Sequence, residues 1–178
     1  MIRQIATASA IAGTAALLVS CAASQVGTAP IVPENLRAPA GQALALEARA
    51  TGVQIYGCNA NKTDPTRFEW IFKAPEADLF DNAGRKIGKH YAGPTWEALA
   101  GGKVVGAVKA NAPAPEAGAI AWLLLDIKSS EGSGVFNQAR GILRVATHGG
   151  IAPAQCCDAA HAGEEARVPY TATYLFLK

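Results

Sequence analysis

Beyond its first two dozen residues, this 178-residue chain keeps returning to one pattern: apolar side chains at every second position, cut into short pieces by glycine and proline. The repeating sets are Leu44 and Leu46; Val53 and Ile55; Phe68, Trp70 and Phe72; Ile120, Trp122 and Leu124; Leu143 and Val145; and Tyr170, Tyr174 and Phe176. A strand turns successive side chains to opposite faces, so such alternation predicts half-buried strands. Turn residues separate them at Gly52, Pro65, Gly84, Gly93-Pro94, Gly101-Gly102, Pro113, Pro115, Gly132, Gly134 and Gly149-Gly150. No segment after the N-terminal one holds a helical repeat for three turns. Residues 40–50 are rich in the helix formers Ala, Leu, Glu and Arg, yet their apolar positions recur with period two, which predicts a strand there as well. The expected fold is all-β: a single domain of roughly eight to ten short strands, built as a two-sheet sandwich or a partly closed barrel. The apolar run Ala119 to Leu125 is expected as a central strand.

Composition supports one globular domain. Half of the residues are hydrophobic and 17% charged, with 16 Lys and Arg against 14 Asp and Glu, a formal charge of +2. That excludes a disordered polar chain, and with no runs of one sign it also excludes a polybasic arm or an acidic tail. Nucleic acid is therefore not an expected partner.

The first residues read as an address. Met1 to Arg3 carries positive charge, Ile5 to Val19 is an almost charge-free apolar run, and Ser20, Cys21, Ala22 and Ala23 follow. This is the layout of a secretory signal peptide, expected over residues 1–21, and the run is too short to span a bilayer comfortably. Leu18-Val19-Ser20-Cys21 also has the form of a bacterial lipobox, which would make Cys21 a lipidated N-terminus and the lipid the chain's one membrane attachment. Cleavage near Ala22 or Ala23 would discard Cys21 instead. Residues 22–42, rich in Ala, Pro and Gly, are expected as a tether, and residues 43–178 as the β domain. The expected location is extracytoplasmic: periplasmic, outer-membrane lipoprotein or secreted.

Either processing route leaves Cys58, Cys156 and Cys157 in a space where disulfides persist. Neighbouring Cα atoms lie about 3.8 Å apart, whereas unstrained bridges need about 4.4 Å or more. Cys58 is therefore expected to pair with Cys156 or Cys157, leaving the third thiol buried and unpaired. No Cys-x-x-Cys motif marks a redox centre.

The densest chemistry lies in Gly88-Lys-His-Tyr-Ala-Gly-Pro-Thr-Trp-Glu97, where His90, Tyr91, Trp96 and Glu97 surround a Gly-Pro turn. On a strand His90 and Tyr91 face opposite sides. A pocket using His90 with Trp96 would set a hydrogen-bonding imidazole beside an aromatic plate, which suits a sugar or a small aromatic ligand. The competing reading is a packed turn in which Trp96 closes the core and His90 bonds to backbone. A second group is Arg144, Thr147, His148, Gly149 and Gly150. In a regular strand Arg144 and His148 would stand about 13 Å apart on one face, too far for one small anion. An ion pair between Arg144 and Asp126 is the simpler expectation, because Asp126 ends an apolar run.

Other chemistries lack their patterns. The three histidines are scattered, and the cluster Cys156, Cys157, Asp158, His161, Glu164 and Glu165 has a thiol already claimed, so no metal and no cofactor is expected. No serine sits in Gly-x-Ser-x-Gly. Glu69, Glu97 and Asp126 could meet in space as an acid and base pair, but charged residues on a β domain are mostly solvated.

The ordered segments Gly52-Val-Gln-Ile-Tyr-Gly-Cys58, Trp70 with Pro75-Glu-Ala-Asp-Leu79, Gly88-Lys-His-Tyr-Ala-Gly-Pro-Thr-Trp96, Ile120-Ala-Trp-Leu-Leu124, Arg144-Val-Ala-Thr-His-Gly-Gly150 and Val168-Pro-Tyr-Thr-Ala-Thr-Tyr174 resemble a secreted bacterial and fungal family. That family is catalogued as a domain of unknown function, number 3455. The likeness spans about residues 30–178 and implies a secreted single domain without implying an activity. The family places a Cys before an Asp near its end, which matches Cys157-Asp158 and implies Cys58–Cys157 as the bridge. It favours His90 and Trp96 over His148 and Cys156 as site members.

Three functions follow in order of expectation. The first is a non-enzymatic envelope or secreted module binding a small molecule or glycan through His90, Tyr91, Trp96, Glu97 and Trp122. The second is an extracytoplasmic hydrolase using Glu97 with Asp126 or His90. The third is a structural envelope protein whose aromatics serve only packing.

Overall fold

The computed structural model describes residues 30–178. The expected signal peptide over residues 1–21, the expected lipidation at Cys21 and the start of the expected tether lie outside the described residues. Eight antiparallel strands follow one another in a meander: β1 (Leu44–Ala60), β2 (Phe68–Phe80), β3 (Lys86–Tyr91), β4 (Thr95–Ala98), β5 (Lys103–Ala112), β6 (Trp122–Glu131), β7 (Gly141–Gly149) and β8 (Glu165–Leu177). Each pairs with its sequence neighbour, and β8 pairs back onto β1, so one sheet closes on itself as a ring with no free edge. The barrel is irregular. β1, β2 and β8 are long, whereas β4 has 4 residues and β6 meets β7 only through Leu123–Asp126 and Gly141–Arg144. The strand expected from Ala119 begins at Trp122, and Ala119 instead makes an isolated bridge to Gly150.

Closure turns alternate side chains into a lumen. Ala48 and Ala50 of β1, Ala77 and Leu79 of β2, Trp96 of β4, Val104 of β5, Leu125 of β6, Ile142 of β7, and Tyr170, Tyr174 and Phe176 of β8 form this core. Bulges adjust it. Ile55 pairs with Ala74 and Tyr56 with Phe72, so Lys73 has no partner, and the inward face of β2 switches from odd to even positions there. A second bulge falls between Val145 and His148 on β7, where Ala146 takes φ 46°. Arg144 and His148 therefore do not share a regular strand face. Nor does Arg144 pair with Asp126: the Asp126 carboxylate meets Lys109 Nζ at 3.1 Å on the outer surface.

Outside the ring, a smaller apolar pad covers β5 to β8. Trp122, Leu124, Leu143, Val145, Leu175 and Leu177 pack there under Leu36, which is fully buried. The 3-10 turn Glu34–Leu36 is pinned by Asn35 Nδ2 donating to Asn111 O at 2.8 Å. Val32, Asn35 and Leu36, within the stretch expected as a tether, thus pack on the barrel wall.

One disulfide joins Cys58 of β1 to Cys157, 99 residues away, with Cα atoms 5.4 Å apart. It ties the long β7–β8 connection to the barrel. The remaining thiol, Cys156, is exposed and not buried as expected, because it lies with Ala154 and Gln155 in an exposed stretch of the β7–β8 connection outside the strands.

Candidate functional site

The two ends of the lumen differ. At one end the β6–β7 connection folds Phe136 inward, where its ring stacks on Phe176 at 4.6 Å. Gly88 makes this plug feasible: a Cβ at that position would sit 2.8 Å from the Phe136 ring. Asn137 Nδ2 holds the connection down by donating to Ser130 Oγ at 2.8 Å and Glu131 O at 2.9 Å.

Among the described residues no aromatic plug like Phe136 fills the other end, and a cavity of about 540 Å³ opens there, walled in part by Pro94, Ile120 and Ile151 from the connections. His90 and Trp96 line its inner wall, 2% and 1% exposed, with rings stacked at 4.4 Å and 18°. Tyr174 meets both, at 5.0 Å and 5.3 Å. Gly106 leaves room for the indole, since a Cβ there would approach Trp96 within 3.0 Å. Gln54, Tyr56 and Arg144 add polar groups, and the half-exposed Phe72, Val108 and Ile151 form an apolar rim.

Hydrogen bonds fix the chemistry of these groups. His90 Nδ1 lies 2.8 Å from Thr95 O. A carbonyl can only accept, so Nδ1 carries the proton and Nε2 is left as an acceptor. Burial pushes the His90 pKa down to about 3, with the Arg144 charge acting in the same direction, so the ring is neutral at physiological pH. Burial raises Tyr56, Tyr170 and Tyr174 above the ordinary phenol value, keeping all three hydroxyls protonated. The Tyr56 hydroxyl donates to Gly150 O at 2.7 Å. Arg144 donates through Nε and Nη2 to Ala121 O at 3.1 Å and 2.8 Å.

The structure brings His90 and Trp96 together but does not gather all five expected ligand-binding residues around one cleft. Tyr91 and Glu97 are their immediate sequence neighbours and so project from the opposite face of the same two strands. There the Tyr91 hydroxyl donates to Glu97 Oε2 at 2.7 Å, and Lys89 approaches that carboxylate at 3.5 Å. The shared bond raises the Tyr91 pKa and lowers that of Glu97. Trp122 lies in the outer pad near Leu36. The carboxylates offered for hydrolysis are scattered as well. Glu97 pairs across Lys103 and Asp126 across Ala107. Four residues along β5 and two strand spacings separate them by on the order of 15 Å, wider than the roughly 5–9.5 Å of glycosidase pairs. Glu69 accepts from Asn61 Nδ2 beyond the rim. Asp158 binds His161 Nδ1 at 2.7 Å, and among the described residues no three His, Cys, Asp or Glu side chains converge as metal ligands.

Tyr56, Gln54 and Tyr174 are site residues that the sequence did not single out, and Arg144, expected to pair with Asp126, joins them in the cavity. The signal was an arginine inside the apolar run Ile142-Leu-Arg-Val145, and tyrosines at inward-alternating positions of β1 (Tyr56) and β8 (Tyr174).

Residues 39–178, the whole barrel, match the model of a family described as protein of unknown function, DUF3455. The chain belongs to that family. No curated protein and no solved structure matches it. This DUF3455 member therefore has to be read from its own cavity.

Proposed function

We propose that this DUF3455 domain is an exported, non-catalytic binding module that takes one small aromatic or aliphatic molecule into the open end of its barrel. The observation carrying the reading is the cavity itself: about 540 Å³, walled by Trp96, Tyr174 and Leu125, with Phe72, Val108 and Ile151 left 50–55% exposed at its rim. Pockets for small ligands have this volume and this mostly apolar lining with a few polar groups. An apolar rim left half in water gains stabilisation when a ligand covers it. Glycans are less well served, because the stacking plate they would need, Trp96, is only 1% exposed. Hydrolysis finds no support, since His90 with a pKa near 3 is a poor general base at neutral pH and no second acid or base stands beside it. Export is supported by the N-terminal segment and by the disulfide.

The test uses N-phenyl-1-naphthylamine, whose fluorescence rises in apolar surroundings. Saturable enhancement at one probe per chain is expected, and it should vanish in Val108→Trp. Val108 is 55% exposed, so the indole can fill the mouth without overpacking the core. No enhancement with folded protein, or equal enhancement in Val108→Trp, would leave the aromatics with packing alone.

A further inference from the structure

We propose that the ligand of this cavity is a monoanion, an apolar body ending in a carboxylate-type oxyanion that Arg144 binds inside the barrel. The inference deepens the binding-module reading and rests on it.

Arg144 is the odd charge in this molecule. Four acidic residues along the barrel's outer face have basic partners: Asp78 with Lys86, Glu131 with Lys103, Asp126 with Lys109, and Glu76 with Arg167. Arg144 points instead into the lumen, opposite Tyr174 in register, and among the described residues it makes no ion pair. Among the described residues no Asp or Glu lines the cavity. Its other cation, Lys73, is at the rim and already meets Glu165 at 3.2 Å. A half-buried guanidinium without a counter-charge is costly to keep unless something offsets it.

Its geometry leaves the offset to a ligand. A guanidinium carries five N–H donors. Nε and Nη2 are engaged by the same carbonyl, Ala121 O, which orients the group beside the Tyr174 hydroxyl and leaves it donors beyond those two bonds. Gln54 supplies an independent sign: it is 2% exposed, lines the cavity beside the Tyr170 hydroxyl, and among the described residues its Nε2 donor meets no acceptor at hydrogen-bond distance. Buried donors are rarely left unmet in folded proteins, so Arg144 and Gln54 together present unmatched donor capacity to one space. The phenols and His90 are neutral there. One positive charge therefore faces the ligand, which matches a carboxylate or sulfonate better than a phosphate dianion. The apolar body would extend past Tyr174 toward Phe72 and Val108.

Two matched pairs of probes test this. 8-Anilinonaphthalene-1-sulfonate is N-phenyl-1-naphthylamine with a sulfonate added, and 4-phenylbutyrate is the acid matched to 4-phenylbutan-1-ol. On the wild-type chain, 4-phenylbutyrate should displace bound N-phenyl-1-naphthylamine at a concentration about tenfold or more below that of the alcohol, the scale of a charge-assisted hydrogen bond. In Arg144→Met the preference should disappear, and the sulfonate probe should lose about tenfold in affinity relative to the neutral one. Equal displacement by acid and alcohol on the wild-type chain overturns the anion inference, even where Arg144→Met fails to fold. If neither naphthylamine probe binds, the binding-module reading itself fails, which is a different result.

Discussion

The two mouths of this barrel are made from the same strands and end differently. At one, β8 offers Phe176, the β6–β7 connection returns Phe136, and the two rings stack beneath a hydrogen-bonded lid centred on Asn137. At the other, β8 offers Tyr174 and β7 offers Arg144, and the connections that reach this end, with Pro94, Ile120 and Ile151, line its wall and leave the space between them unfilled. A sequence tuned only for stability would plug both, because each further buried aromatic removes about 150–250 Å² from water. The contrast separates packing from recognition: hydrocarbon fills the sealed end, while the open end holds donors and acceptors in fixed positions beside unfilled space.

The comparison is most easily broken at the plug. Phe136→Ala should destabilise the chain by about 3–5 kcal/mol, the usual range for a buried phenylalanine, measured as a shifted urea midpoint with unchanged m-value. Uptake of N-phenyl-1-naphthylamine at the far mouth should persist in conditions where the variant is folded. If losing Phe136 costs less than about 1 kcal/mol, the sealed end is not the part of the lumen that holds the fold together.

Next in size is the bridge. Cys58–Cys157 spans 99 residues and anchors the connection that carries Ile151 and Ala152, part of the open end's wall. Replacing both cysteines by alanine should cost about 2–4 kcal/mol. The loss should be lopsided. Amide hydrogen exchange is expected to speed up through residues 150–164 and to change little around Phe136. Uniform loss of protection would mean that the two ends do not behave as separate units.

How much of this was written in the sequence differs between the two ends and the two faces. Period two identified β1, β2, β6, β7 and β8, because alternation follows from local backbone geometry, but it marked none of β3, β4 and β5. The turn expected at Gly52 lies inside the continuous strand β1, so the eight strands fall at the lower end of the expected eight to ten. Alternation says that two faces exist and not which one becomes the lumen. Leu143 and Val145 read as core and are buried, but in the outer pad beneath Leu36, while Arg144 between them points inward. The Arg144–Asp126 pairing failed for a related reason. It assumed a common face, whereas the register sets Asp126 opposite Gly141, and Lys109 reaches the carboxylate first. His90 and Trp96 were legible as a pair because strand partners across a short turn must face alike, and they sit directly opposite each other in register. The cavity was not legible. It depends on which connection returns an aromatic plug and which does not, and that is decided by contacts far apart in sequence.

The smallest expected effect concerns protons, and it distinguishes the open end from the outer surface by sign. His90 has a folded pKa near 3 against an ordinary value of 6.5. Below about pH 6.5 the unfolded chain therefore binds a proton that the folded barrel refuses, and stability falls as pH falls. The contribution is complete above pH 6.5 and declines by about 1.5 kcal/mol on going from there to pH 5. His161 works the other way. Its hydrogen bond to Asp158 raises its pKa, so what it contributes is present at low pH and is lost as pH rises through the raised value. Asp158, whose own pKa is lowered by that bond, gives way only at more acid pH, outside this window. Urea unfolding at pH 7.5, 6.5, 5.5 and 5.0 should show the fall, and His90→Gln should flatten it while His161→Gln steepens it slightly. A His90→Gln profile parallel to wild type would mean that the imidazole inside the barrel exchanges protons as freely as one in water, and the wall built from His90 and Trp96 would then have to be far wetter than its packing implies.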